Sequence, residues 1–440
     1  MLRGSEPSAT PRRILILLAL AIIAYLPSLN IPFIVDDYGQ IPLARTFAAQ
    51  GWTPLFANHE LRARATYMFL SAALDRAFGF SPLIFHAASI VLHALCVLLV
   101  YATAIWIEIG EPTAFFAAAF FAIQEGHQEA IVWPAAAADL FVFLFGMAAW
   151  LCWLQWLRSK SWKWYIAAIV TFLLAIASKE SAWIFPALML LPIAFDRTHR
   201  RFSVFAALTP FLALSAAYIF WTWSTRITAP GFHDTRFALS APWLLILLNS
   251  WWRLLFVWGL IALAVLLWLR KRAGWRLIAI SSIWIAATLF PYCFLTYQMQ
   301  VPSRLTYTAT AGLAWLIGAA AVRLRDTNRQ TLFAVLCIAT LAINLEILWV
   351  KKMSQFRERA LPSELMKDAG LHSDGTVRIS CDPLPNFIAV DVLQSVNTKT
   401  AFEPGEREDQ SCFAVDYRTP AGQLIHESRR ILPVKHGTFY

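Results

Sequence analysis

Charged side chains are scarce in this chain. They make up 15% of its 440 residues, where a soluble globular domain carries about 25%. With 59% hydrophobic residues, that deficit excludes an ordinary soluble domain and points to a membrane protein crossed many times. Other absences narrow the field. No C-x-x-C pair and no His/Cys spacing of a zinc site occurs. There is no tetratricopeptide period, coiled-coil heptad or low-complexity stretch. No internal repeat of the kind common in secondary transporters is visible. The basic N-terminus and first apolar run resemble a signal peptide, but no small-residue cleavage pattern follows. Residues 14–30 therefore read as an uncleaved first helix.

What is present is a series of apolar runs separated by short polar loops. A membrane span needs about 20 apolar residues, or fewer where it is recessed in protein. Eleven candidates fit: 14–30, 83–106, 112–123, 135–157, 164–178, 181–195, 203–223, 250–269, 277–294, 306–322 and 331–350. The net charge of +10 would suggest nucleic acid in a soluble protein. Here the basic residues cluster in alternate loops, around Arg12 and Arg13, Arg158–Lys163, Arg197–Arg201, Arg270–Arg276 and Arg323–Arg329. The positive-inside rule accounts for that pattern without nucleic acid. It sets the N-terminus in the cytoplasm and, with eleven spans, the C-terminus outside. Localisation in a bacterial inner membrane is expected.

Three polar clusters then fall on the outer side. Asp36 and Asp37 follow the first span and open a long outer loop, 31–82. Within it, segments 41–50 and 61–79 have amphipathic spacing and are expected to lie in the interface, as is 237–249. The segment 112–123 is short and runs into Gln124-Glu125-Gly126-His127-Gln128-Glu129. Segments 164–178 and 181–195 are about 15 residues each, or about 23 Å of helix. They form a hairpin with Lys179-Glu180 at a tip recessed below the outer surface. Polar backbone at such depth is tolerated where it lines a cavity, so the three clusters are expected to converge on one outward-facing cavity. Twenty Trp residues fit an interfacial aromatic belt; Trp133 is the one exception considered for a site.

The composition divides the chain into 1–350, membrane-embedded, and 351–440, a small soluble α/β domain outside. The tail is expected to hold a helix over 354–369 and strands over 376–381 and 411–417. Cys381 and Cys412 lie in it and could pair as a disulfide in an oxidising compartment.

The polar blocks carry a resemblance, in order along residues 14–350. Asn30-Ile31-Pro32-Phe33-Ile34-Val35-Asp36-Asp37 resembles the first-loop signature of GT-C glycosyltransferases, most closely the protein O-mannosyltransferase-like bacterial membrane proteins and their tetratricopeptide-bearing relatives. Arg64, Ala72-x-Leu74-Asp75, Phe78-Gly79, Phe85-His86 and Leu92-His93 follow as in that group. So do His127-Gln128-Glu129-Ala130, Val132-Trp133 and Asp139-Leu140, then Ser178-Lys179-Glu180-Ser181, then Arg304-Leu305-Thr306-Tyr307. The chain departs from the group at Ala65 and Glu125, where proline is common, and in lacking the tetratricopeptide domain. These departures bear on the acceptor more than on the chemistry.

The resemblance implies a GT-C fold and inverting transfer of a sugar from a polyprenyl-phosphate lipid to a hydroxyl acceptor. Acceptor hydroxyl attack needs a general base; Asp36 is assigned that role, with Asp37 and Glu129 as further catalytic candidates. The leaving phosphate needs cations; Arg304 is the first choice, with Arg64, Lys179 and Tyr307 beside it. His127, Glu180 and Trp133 are acceptor-side candidates. Each has a plainer reading. The two aspartates could cap a helix, Arg304 could be a snorkelling anchor, and Lys179 and Glu180 could neutralise one another. The 127–129 turn could simply be solvated, and His86 and His93 read as packed residues. Asp36 and Glu129 could also hold a divalent cation such as Mg or Mn. A transporter or lipid flippase, or an inactive scaffold, are the rival classes.

Overall fold

The computed structural model describes residues 11–57, 64–106, 110–195, 202–224, 237–269, 273–296, 299–327, 329–380, 386–396, 400–404 and 412–430. All eleven expected segments carry helix. Among the described residues, six helical stretches are long and apolar enough to cross a membrane: Pro11–Asn30, Pro82–Ile105, Pro134–Ser159, Phe202–Ser224, Trp275–Tyr292 and Gln330–His372. A seventh is a bent pair, Trp243–Leu255 and Trp258–Trp268, turned by 76°. Eleven crossings would require helices Glu111–Ile123, Trp162–Ile176, Glu180–Phe195 and Thr310–Asp326 to cross as well.

Two expected spans are remade. Residues 250–269 are not one rod. Val257 sits at φ +66°, a conformation hostile to a β-branched residue, and the chain turns there. The physical reason lies in the two halves: Trp243–Leu255 is amphipathic and carries Arg253, while Trp258–Trp268 is apolar all round. One polar stripe cannot run through the bilayer alone, so the first half folds over. Residues 181–195 likewise break into the 3₁₀ turn Glu180–Ile184 and the short helices Phe185–Met189 and Leu191–Phe195. Pro186 and Pro192 lie in the first turn of each short helix, where proline is tolerated.

Helix Thr310–Asp326 is packed on Glu111–Ile123, Trp258–Trp268 and Ala273–Leu289. It approaches Glu111–Ile123 so closely that a Cβ at Gly318 would strike the Thr113 carbonyl; small residues allow such contacts in membranes. Trp150, Trp284 and Trp315 stack within this core, their ring centroids 4.9–5.9 Å apart. Those indoles are core, not belt.

The outer-loop helices form as Asp37–Gln50 and Ala65–Phe78. At the other end, helix Gln330–Glu346 runs through a π-helical turn, Ile347–Lys352, straight into helix Met353–His372. Beyond it lies a four-stranded sheet: β1 (Thr376–Ser380), β2 (Ala401–Pro404), β3 (Cys412–Arg418) and β4 (Leu424–Arg430), in the order β2-β1-β3-β4. β1 pairs with β2 in parallel, and β1–β3 and β3–β4 are antiparallel. Helix Asn386–Val396 covers it and packs on helix Asp37–Gln50. The Cys381–Cys412 pairing falls outside the described side chains.

Orientation has a direct test. With the six native cysteines replaced, Gln423→Cys should react with a membrane-impermeant maleimide in intact cells. Reaction only after permeabilisation would place the tail inside and make the count of crossings even.

Candidate active site

The site is built where three breaks in helical structure meet. The first is the loop Ile31–Asp36. Val35 adopts φ +42° there, a strained state for a β-branched residue. The strain is held by Asp37, whose carboxylate is fully buried. Its Oδ2 accepts from the Ile34 N–H at 2.9 Å, and its Oδ1 accepts from the Ala135 N–H at 2.8 Å. Asp37 thus ties the first outer loop to the turn before helix Ala138–Ser159. Burial raises its carboxyl above the usual range, the two backbone donors oppose that rise, and Asp36 adds to it. Asp36, at the N-cap of helix Asp37–Gln50, stays partly exposed.

The second break is the turn 124–129. The Tyr25 hydroxyl donates to the Gln124 carbonyl at 2.7 Å, and the Glu125 N–H donates to Asn344 Oδ1 at 3.0 Å. Lys352 lies 3.8 Å from Glu125. Glu129 projects toward the third break, the 3₁₀ turn Ser303–Thr306, where its Oε2 accepts from the Arg304 N–H at 3.3 Å. Its other oxygen is 3.7 Å from Arg359 Nη1. Burial resists ionisation of Glu129, but Arg304, Ser303 and Arg359 outweigh it, so the carboxyl is held below the usual glutamate range. The Arg304 guanidinium lies over Trp133, 5.0 Å from the ring centroid. Among the described residues no carboxylate comes within 4 Å of it.

The hairpin tip adds a cation. Lys179 is buried, and its Nζ meets Asp139 Oδ1 at 2.6 Å. The Lys179–Glu180 pair considered from the sequence is therefore not the pair that forms; Glu180 is exposed. The reason is local. Ser178 is fixed by Thr66 Oγ1 at 2.8 Å and bonds back to Leu174, which turns the next side chain inward onto the start of helix Ala138–Ser159. Burial lowers Lys179, while Asp139 and Glu180 support its charge; Arg304 and Arg64 are both near enough to depress it. Three cations, Arg64, Lys179 and Arg304, therefore share one electrostatic neighbourhood. Tyr67 feels Asp36, Asp37 and Arg64 together, so the acid pair and Arg64 share a neighbour.

Two sequence candidates lie elsewhere. His127 is fully buried, packed on Phe121 and Tyr307 at ring-centroid distances of 4.5 and 4.4 Å. The Tyr307 hydroxyl bonds to His93 Nδ1 at 2.7 Å. Both belong to an enclosed aromatic cluster and are not brought among the cations. His86 is packed too, bonded to the Ile31 carbonyl at 2.9 Å. The structure instead adds residues that sequence patterns did not single out for a role: Asp139, Arg253, Arg359, Glu364 and Asp391. Arg253 feels Glu129 and Glu125. Glu364 accepts from the Tyr38 hydroxyl at 3.1 Å. Burial and the nearby Asp36 raise the Asp391 carboxyl, and a Cβ on Gly39 would collide with it.

Among the described residues no group of three His, Cys, Asp or Glu side chains is placed to hold a metal, and Glu129 faces arginines on both oxygens. Free carboxylate oxygens are what Mg or Mn requires.

No protein-family model matches the chain. Among solved structures it superposes on ArnT from Cupriavidus metallidurans bound to undecaprenyl phosphate, with a TM-score of 0.56 at 13% identity, over 90% of this chain and 86% of that one. It also superposes on the archaeal oligosaccharyltransferase AglB from Archaeoglobus fulgidus, in complex with an inhibitory peptide and a dolichol-phosphate. That match has a TM-score of 0.55 at 12% identity, over 88% of this chain and 64% of that one. The chain therefore shares the fold of these two membrane proteins. A curated relative is the Drosophila melanogaster protein O-mannosyl-transferase Tmtc1, 29% identical over 176 residues, 37% of this chain. The match spans 20% of that protein's length.

Two measurements check these assignments. Asp37→Ala leaves two buried N–H donors unpaired and should lower stability by on the order of 2 kcal/mol or more, seen as a lower Tm in detergent. The Glu129 shift is downward, so its stabilisation is present above the usual glutamate value and is lost as pH falls through the lowered folded value. The wild-type protein should lose Tm on the acid side, and Glu129→Gln should lack that component of the loss.

Proposed function

We propose that the chain is an inverting membrane glycosyltransferase that moves a sugar from a polyprenyl-phosphate lipid to a hydroxyl acceptor on the extracytoplasmic face. The observation that carries this reading is the grouping of Arg64, Lys179 and Arg304 in one neighbourhood, with Arg64 and Asp36 both acting on Tyr67, inside a GT-C-like fold. The structural neighbours were solved with undecaprenyl phosphate and dolichol-phosphate, and cations with unsatisfied donors suit a lipid phosphate. Residues 1–350 would carry the chemistry, and 351–440 would form an outer unit resting on them.

In this reading the Asp36 carboxylate takes the acceptor hydroxyl's proton as the oxygen attacks the anomeric carbon. The bond from that carbon to the phosphate oxygen breaks on the opposite side, which inverts the centre, and the electron pair leaves on the lipid phosphate. Arg304 and Arg64 receive the phosphate charge. Lys179 contributes through its field, because its ammonium is held by Asp139. Asp37 holds the loop that aims Asp36, and Glu129 sets the turn that carries Arg304. Glu180, the exposed member of the hairpin tip, and Trp133, the aromatic platform under Arg304, remain the acceptor-side candidates.

Asp36→Asn should abolish sugar transfer while undecaprenyl phosphate binding is retained; full activity would sink the base assignment. Arg304→Ala should weaken binding of that lipid by about tenfold or more, the loss expected for one charge-assisted contact. Mass spectrometry of the lipid that copurifies with the wild-type protein should return a polyprenyl-phosphate sugar and so identify the sugar.

A further inference from the structure

Arg359 reaches the turn that carries Glu129 from far along the sequence. It stands on helix Met353–His372, which continues the last apolar helix through the π-helical turn without a loop. Arg359 is largely buried, its side chain 21% exposed, and its Nη1 faces Glu129 Oε1 at 3.7 Å. The two Glu129 oxygens are thereby divided. One meets the tail helix; the other accepts the backbone N–H of Arg304. The Arg304 guanidinium is left over the Trp133 ring. A largely buried carboxylate demands a counter-charge. Around Glu129 the arginines are Arg304, Arg359 and, from the bent helix, Arg253.

We propose that Arg359 is a positioning residue: by neutralising Glu129 it keeps the Arg304 guanidinium available for an anionic lipid phosphate. Without it, Glu129 captures Arg304 as its partner, and the phosphate loses its principal ligand. The tail is then part of the donor site and not an appendage. This inference rests on the reading of Arg304 as a lipid-phosphate ligand.

The test uses full-length protein in nanodiscs with undecaprenyl phosphate as the probe. Arg359→Gln should weaken binding by about tenfold, the size of one redirected charge-assisted contact. Arg359→Lys should restore most of the affinity. The double variant Glu129→Gln/Arg359→Gln should bind like Glu129→Gln alone, because no carboxylate remains to capture Arg304. A purely structural role predicts that the double variant is at least as weak as Arg359→Gln. Binding by Arg359→Gln within twofold of wild type, or a double variant as weak as Arg359→Gln, overturns the proposal. If Arg359→Gln does not fold, the Lys variant and the double variant carry the same comparison. Failure of the wild-type protein to bind the lipid would instead overturn the donor reading on which the proposal rests.

Discussion

The two hydrogen bonds on the buried Asp37 carboxylate are the constraint on which the rest of the site depends. They join a loop after the first apolar helix to a turn far along the chain, before helix Ala138–Ser159. Val35 could not hold its left-handed backbone without such a clamp, since strained residues persist only where their surroundings over-determine them. The clamp also fixes the start of helix Asp37–Gln50, the surface on which helix Asn386–Val396 rests. A single carboxylate thus sets the aim of Asp36 and the seat of the tail.

Around that clamp, charge is arranged by distance from partners. Lys179 and Asp139 neutralise each other in a buried pair. Glu129 is shared between a backbone donor and a tail arginine. Arg304 has an aromatic face but no carboxylate among the described residues. In the proposed reading, a set of cations in which one is committed, one is shared with a ring and one, Arg64, has a buried Nε without a partner among the described residues suits an added anion. A fully paired set would have to break a contact first.

Much of the fold was legible in the sequence because apolar runs report on a local property. All eleven expected segments carry helix, and the tail helix and two of its strands fall within a few residues of expectation. The bend at Val257 was hidden because average hydropathy does not see direction; the signal lay in the one-sided placement of Arg253 within Trp243–Leu255. β2 and β4 were missed as short or exposed edge strands, where alternation is weakest. For the site, the polar clusters at 36–37, 124–129 and 179–180 were found because polarity between apolar runs is conspicuous. Their pairings were not found. Lys179 with Asp139 and Glu129 with Arg359 join residues distant in sequence, and nothing in local spacing selects those partners over Glu180 or solvent. His127 and Tyr307 stood beside the right residues in the chain, yet the turns rotate them into the aromatic core.

The π-helical turn Ile347–Lys352 has a geometric consequence. An α-helix advances about 100° per residue, and a wider turn resets the phase of everything after it. Asn344 before the turn, Lys352 at its end and Arg359 and Glu364 beyond it all meet the same polar loops. The turn acts as an angular adjuster between a lipid-facing rod and a site-facing one. The number of those six residues matters as well as their chemistry. One residue more or fewer would rotate the whole tail about its axis and face Arg359 away from Glu129.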